Sequence, residues 1–173
     1  FCLSRGLGDV YKRQIQAGPS FGLSFEAKPG HGYFHYLAVG TAVLRTADGS
    51  LHELSAGNAV FIPQGGAHQL LSGPDVPVQG IDSFVAAPLG DAVSAVDACP
   101  STHPIPSVIL FYGCMEFDLG GMQGLGKLMP GVMQVDAAGE RYPGLMPILA
   151  SMKGEICSCL LYTSDAADER SSV

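Results

Sequence analysis

Apolar and polar positions alternate over much of the first half of the chain, and the alternation predicts short β-strands joined by turns. Residues 21–27 (FGLSFEA) have the period of two expected of a strand with one buried face. Pro29-Gly30 ends that run. Residues 33–37 (YFHYL) and 41–46 (TAVLRT) read as two further strands around Gly40. Ala47-Asp48-Gly49-Ser50 is a hairpin signal, because Asp-Gly suits the turns that match strand twist. Leu51 to Leu54 is the returning strand. Short strands at regular spacing with turn residues between them predict a β-barrel or jelly roll.

Gly57 to His68 (GNAVFIPQGGAH) is the most specific stretch. An apolar run, Ala59 to Ile62, stops at Pro63, which has no N–H for a sheet ladder. Gly65-Gly66 turns the chain, and His68 opens a returning strand over 67–71. An imidazole is thereby fixed at the start of a strand.

The rhythm breaks at residues 72–106, where six prolines fall among small residues. This stretch is expected to be a long surface insertion, with a short helical piece near 91–97. Residues 107–117 (SVILFYGCMEF) are the longest apolar run and are expected to form a central strand. Residues 122–129 are expected to be a short helix weakened by Gly124 and Gly126, and Val132 to Val135 a brief strand. A helix is expected to begin near residue 144, with Pro147 in its first turn.

The two ends read differently. DVYKRQ at 9–14 is what the mosaic-end sequence of transposase-based DNA library preparation encodes, and CLLYTS at 159–164 is what its reverse complement encodes. The flanking SRGLG and DAADE fit the adaptor arms. Residues 1–14 and 157–173 are therefore expected to be translated adaptor on a metagenomic fragment, leaving one domain over 15–156. The formal net charge is −7. Within the core the basic residues are Lys28, Arg45, Lys127, Arg141 and Lys153, scattered along the chain. Phosphate backbones need clustered cations, so this domain is not expected to grip nucleic acid by itself. No apolar run approaches a membrane span. Cys99 and Cys114 are the secure natural cysteines, with no CxxC pair, which suits a cytoplasmic setting.

The order of these pieces resembles the cupins, and among them the N-terminal sensor domain of AraC-type transcription regulators. Tyr33 to Gly40 stands where that family has a phe-his-apolar-apolar-apolar-glu-gly strand. Gly57 to His68 is its gly-asp … pro-x-gly-x-x-his segment. Tyr112 to Asp118 resembles a cys-gly-x-phe-x-phe-asp strand, and Lys127 to Pro130 with Val132 the segment after it. Val39, Asn58, Tyr112 and Cys114 depart from the family pattern. The resemblance implies a cupin double-stranded β-helix (a jelly-roll barrel, mainly β) with a short C-terminal helical portion. It implies a small-molecule effector, homodimers, and DNA contact only through a helix-turn-helix part absent from this chain.

Enzymatic cupins usually hold metal on two histidines one residue apart, a nearby Glu and the second-motif His. Those positions here read Tyr33, His35, Val39 and His68. Catalytic zinc or iron normally needs three protein ligands. No metal and no cofactor is therefore expected, and no catalytic residue is assigned. His35 and His68 stand as the candidate pair should a metal bind, and otherwise as pocket or core histidines. Tyr33, His35 and His68 are the candidate ligand-binding residues, the phenol and imidazoles orienting an effector by hydrogen bonds. A barrel filled by side chains is the alternative to one that holds a cavity. The rival functions are a metal-dependent isomerase or dioxygenase, and a stand-alone binding module. On the 107–117 strand, the cost of burying Glu116 unpaired predicts that the Tyr112, Cys114 and Glu116 face looks outward.

Overall fold

The computed structural model describes residues 11–89, 93–99, 105–116 and 128–136. Twelve strands are present among them: β1 (Tyr11–Ala17), β2 (Gly22–Phe25), β3 (His31–Val39), β4 (Thr41–Thr46), β5 (Leu51–Ser55), β6 (Asn58–Ile62), β7 (His68–Leu71), β8 (Gln79–Gly80), β9 (Ala86–Pro88), β10 (Val93–Ala98), β11 (Val108–Glu116) and β12 (Met133–Asp136). They form a seven-stranded sheet in the order β12-β6-β3-β11-β1-β10-β9 and a five-stranded sheet in the order β5-β4-β7-β2-β8. The fold is the mainly β jelly roll expected from the sequence.

Alternation decides which side chains meet between the sheets. Leu37 of β3, Leu110 of β11, Ile15 of β1 and Val96 of β10 point inward from the larger sheet. Leu23, Leu44 and Leu70 do so from the smaller one. All seven are at most 2% exposed. The two apolar faces have no other way to leave water, and this burial is the main driving force for closure.

Gly40, at φ +88°, passes the chain from β3 in one sheet to β4 in the other. A Cβ there would meet the backbone of Ser107 and Val108. Gly65, at φ +60°, has a second reason to be glycine. It packs on the β2–β3 turn, and the Lys28 N–H donates to its carbonyl at 2.9 Å. A Cβ there would fall against the carbonyl oxygens of Lys28 and His31. Gly65→Ala is expected to destabilise the fold by more than the ~1–2 kcal/mol of left-handed strain alone, because the turn must also move. Urea denaturation of the variant checks this.

Three expectations are corrected. Residues 93–97 are strand, not helix: β10 pairs in parallel with β1, from Lys12↔Val93 to Ala17↔Ala98. The proline-rich stretch is accordingly no simple surface insertion, since β8, β9 and β10 all join the sheets. The face carrying Tyr112 and Cys114 looks inward, with the two residues 8% and 1% exposed. Glu116 avoids the cost of burial because it is the last residue of β11, where the side chain reaches solvent.

β1 begins at Tyr11, so residues 11–14 pair with β11 and Gln14 is buried. The helices expected over 122–129 and from about 144 lie outside the described residues, apart from Leu128 and Met129. β11 is the central strand expected, fourth of seven.

Candidate functional site

The Pro63-Gln64-Gly65-Gly66 turn after β6 delivers His68 to the first position of β7, between Phe25 of β2 and Thr46 of β4. His35 lies in the middle of β3, flanked by Val60 of β6 and Tyr112 of β11. The two histidines therefore belong to opposite sheets, and their side chains meet across the interior with Nε2 atoms 2.7 Å apart. Both are buried, at 1% and 3% exposure.

The hydrogen-bond network assigns their tautomers. His68 Nδ1–H donates to the Gly66 carbonyl at 2.8 Å, which leaves its Nε2 as an acceptor. His35 Nε2–H donates to it. The His35 Nδ1 then carries a buried lone pair with no partner among the described residues. Both rings are neutral. Burial holds the His35 imidazole well below its ordinary pKa, with the neighbouring His68 pushing the same way. Burial brings His68 down to about 4, against a smaller opposing effect of the Gly66 carbonyl.

An aromatic cluster encloses the pair. Phe25 stacks on His68 with centroids 4.8 Å apart and planes 5° from parallel. It meets the His35 ring edge-on, also at 4.8 Å. Tyr112 lies over His35 at 5.5 Å and Tyr33 against His68 at 4.9 Å. The Tyr33 hydroxyl donates to the Glu26 carbonyl at 2.5 Å. Burial pushes the Tyr33 and Tyr112 phenols up, Tyr33 to about 12. Tyr33→Phe removes one hydrogen bond and is expected to cost about 1 kcal/mol while leaving the fold intact, as urea denaturation would show.

The structure thus brings together the three residues singled out from sequence, Tyr33, His35 and His68. It adds Phe25 and Tyr112. Phe25 was legible as an inward position of the 21–27 alternation. Tyr112 shares its strand face with Glu116, whose charge argued for a solvent-facing side.

Solvent reaches this cluster at one end of the barrel. A cavity of about 250 Å³ lies between Arg13, Lys28, Tyr33, Ile81, Asp82 and Tyr112, with Phe25 and Glu26 at its side. Arg13 and Asp82 form an ion pair across it at 3.1 Å. A wider, open groove of about 480 Å³ runs from Phe25, Glu26 and His68 towards Ser24, Arg45 and Gln69. Sequence reasoning missed Arg13 and Glu26 at the cavity and Arg45 at the groove, because only the pairing of strands places them there.

The donor positions of an enzymatic cupin do not assemble into a metal site here. Val39 is apolar and 42% exposed. Tyr33 is engaged by Glu26, and the two remaining imidazoles are bonded to one another. A tetrahedral ion bound by both Nε2 atoms would hold them roughly 3.3 Å apart, given metal–nitrogen bonds of about 2.0–2.1 Å. Among the described residues, no group of three or more His, Cys, Asp or Glu is placed to hold a metal ion.

Two facing sheets and a Pro-x-Gly-x-x-His turn feeding an imidazole inward define a small two-sheet β domain. The chain belongs to the cupin family: the family model described as Cupin matches residues 6–158. No curated protein matches it by sequence. Among solved structures it is similar to YhaK from Escherichia coli, at 11% identity and TM-score 0.42, over 74% of this chain and 44% of that one. It is similar to ToxT from Vibrio cholerae O395 bound to (E)-4-(8-methylnaphthalen-1-yl)but-3-enoic acid, at 7% identity and TM-score 0.46, over 92% and 56%. A cupin protein from Bacteroides fragilis is similar at 15% identity and TM-score 0.32, over 66% and 69%. The chain spans less than half the length of the YhaK structure. Among the described residues, no helix is long and apolar enough to cross a membrane.

Proposed function

We propose that this cupin is the small-molecule-sensing part of an AraC-type transcription regulator, acting in the cytoplasm, with its DNA-binding helix-turn-helix part outside the present chain. The observation that carries the reading is the pairing of His35 with His68. The family's donor positions no longer supply a three-ligand centre, and the two imidazoles that remain satisfy each other. What is left of the site is a mouth lined by phenols and charged groups above a closed aromatic floor. Such a mouth suits recognition more than Lewis-acid chemistry. The order of motifs along the chain supports the regulator rather than the stand-alone module.

In this reading an effector bound at the mouth favours one arrangement of β2, β3 and the Gly65 turn. A segment following the barrel passes that preference to the DNA-binding part. The ligand shifts the equilibrium only by its difference in affinity for the two arrangements. Tyr33, His35 and His68 act as the effector-facing and positioning residues, and the domain pairs as a homodimer.

Long-read sequencing of the source DNA across both ends of this chain tests the reading. Two helix-turn-helix units in frame beyond residue 156 are expected. A frame that closes soon after that residue overturns it in favour of a stand-alone module. Metal retained by the purified protein and lost in His35→Ala or His68→Ala overturns it in favour of a metal-dependent enzyme.

A further inference from the structure

Not every buried apolar side chain lies between the two sheets. Phe111 of β11 and Ala59 of β6 are 6% and 4% exposed, yet neither belongs to the cluster that fills the interior. Leu110 and Tyr112, on either side of Phe111, point inward, and so does Val60 beside Ala59. Alternation then turns Phe111 and Ala59 away from the other sheet.

Strand register joins them in one row. Gln14 of β1 sits opposite Phe111, and Phe111 opposite Tyr36 of β3. Tyr36 sits opposite Ala59, and Ala59 opposite Val135 of β12. The row crosses five strands on the outer face of the larger sheet. Gln14, at one end of it, is 1% exposed, and its side-chain oxygen has no hydrogen-bond partner among the described residues. In the neighbouring row Phe34 stands opposite Phe61, and Phe61 opposite Met133. The Tyr36 and Phe111 rings stack with centroids 6.2 Å apart.

An antiparallel sheet face that meets water is normally polar. This one is aromatic, and part of it is out of water, so something covers it. All twelve described strands are used in the two sheets. The 3-10 turn Ile81–Ser83 packs on β2 of the other sheet.

The sequence offers a segment of matching shape beyond β12. Over 144–156 (GLMPILASMKGEI), Leu145, Leu149, Met152 and Ile156 recur at the spacing of one helix face, with Ile148 beside them. Ser151 and Gly154 fall on the other side. A helix over 144–156 is about 20 Å long. The row of five strands spans four gaps, or about 19 Å. The chain from Asp136 to Gly144 can extend roughly 25 Å, enough to return from the β12 edge across the whole row. Residues 117–127 suit the face less well, because Gly120, Gly121, Gly124 and Gly126 weaken any helix there.

We propose that the outer face of the seven-stranded sheet is the docking surface for residues 144–156 of this chain, folded as an amphipathic helix with Leu145, Leu149, Met152 and Ile156 against Tyr36, Phe111 and Phe61. Tyr33, His35 and Tyr112 hold the inward positions of β3 and β11, two of the strands that the helix covers. One sheet therefore separates the docked helix from the candidate site.

The test is photo-cross-linking of the full chain with p-benzoylphenylalanine placed at Tyr36. Mass spectrometry of a mixture of isotope-labelled and unlabelled chains separates capture within a chain from capture between chains. Capture of a peptide within 144–156 of the same chain is expected. L149E sets a charge against the rings and is expected to lower that capture about tenfold. S151E, on the other side of the helix, is expected to leave it unchanged. Circular dichroism shows whether the strands persist in L149E; should they not, the peptide captured in the parent decides alone. Capture by a second copy, by any other part of the chain or by no peptide overturns the proposal, as does undiminished capture in a folded L149E variant.

Discussion

Phe25→Ala is expected to destabilise the protein by about 3–5 kcal/mol, a large part of the stability typical of a single domain. Phe25 is 2% exposed and is the ring on which the two sheets meet. It comes from the five-stranded sheet, yet it contacts Tyr33, His35 and Tyr112 of the seven-stranded sheet, with centroids 6.3, 4.8 and 5.0 Å away. Removing it leaves a cavity with four ring neighbours, none of which can collapse into the space without leaving its strand. It also frees the His68 ring, whose stacking partner is gone. Phe25→Leu keeps most of the volume and is expected to cost well under half as much. Urea denaturation of the two variants checks both figures. A loss under ~1 kcal/mol for the alanine variant would mean that the interior is not packed around this ring.

Acidification is expected to produce the second large effect. His68 has its pKa lowered to about 4 in the folded protein, from an ordinary value of 6.5, chiefly by burial. A lowered histidine pKa means that the unfolded chain binds the proton more readily than the native one. Stability is therefore unaffected by this group above about pH 6.5 and falls as the pH drops from there towards 4. For His68 alone the loss at pH 5 is about 2 kcal/mol relative to pH 7.5, on the order of a thirtyfold change in the folding equilibrium. His35 is shifted in the same direction, first by burial and then by His68, and adds to the loss. The two titrate as a coupled pair, since a proton on either adds a charge beside the other, and one on His68 Nε2 removes the acceptor of the hydrogen bond that joins the sheets.

Two measurements check this. Urea denaturation at pH 7.5 and pH 5 should show the stability drop. Histidine ring spectra at pH 5.5 should show His35 and His68 still neutral, with the proton of His35 on Nε2 and that of His68 on Nδ1. Stability that is flat over this range, or a charged ring at pH 5.5, would remove the paired-imidazole description.

The parts legible in the sequence are those set by neighbours along the chain. The alternation in 21–27, 33–37 and 41–46 marks β2, β3 and β4 because a strand with one buried face must repeat every two residues. The Asp48-Gly49 turn and the Gly57–His68 segment needed only local chemistry, with glycine where φ is positive and proline where a ladder ends. The family followed from the same local signals, and so did the placing of Tyr33 and His35 on one face of one strand.

What resisted sequence reading depends on pairing between distant segments. β10 was expected to be helical because its small residues, VSAVDA, carry little pattern. Its conformation is imposed by six register pairs with β1. The inward orientation of Tyr112 and Cys114 followed from β11 sitting between β3 and β1, which outweighed the cost argued from Glu116, since that residue lies at the strand end.

By itself the sequence determined the strands, their turns, the jelly-roll class and the inward-facing histidines, since periodicity and turn chemistry are written residue by residue. Only the tertiary structure decided that His35 and His68 join through their Nε2 atoms. It alone placed Phe25 between the sheets and brought Arg13 and Glu26 to the mouth beside Tyr33 and Tyr112. Those outcomes depend on distances across strands far apart in the chain, which no local pattern encodes.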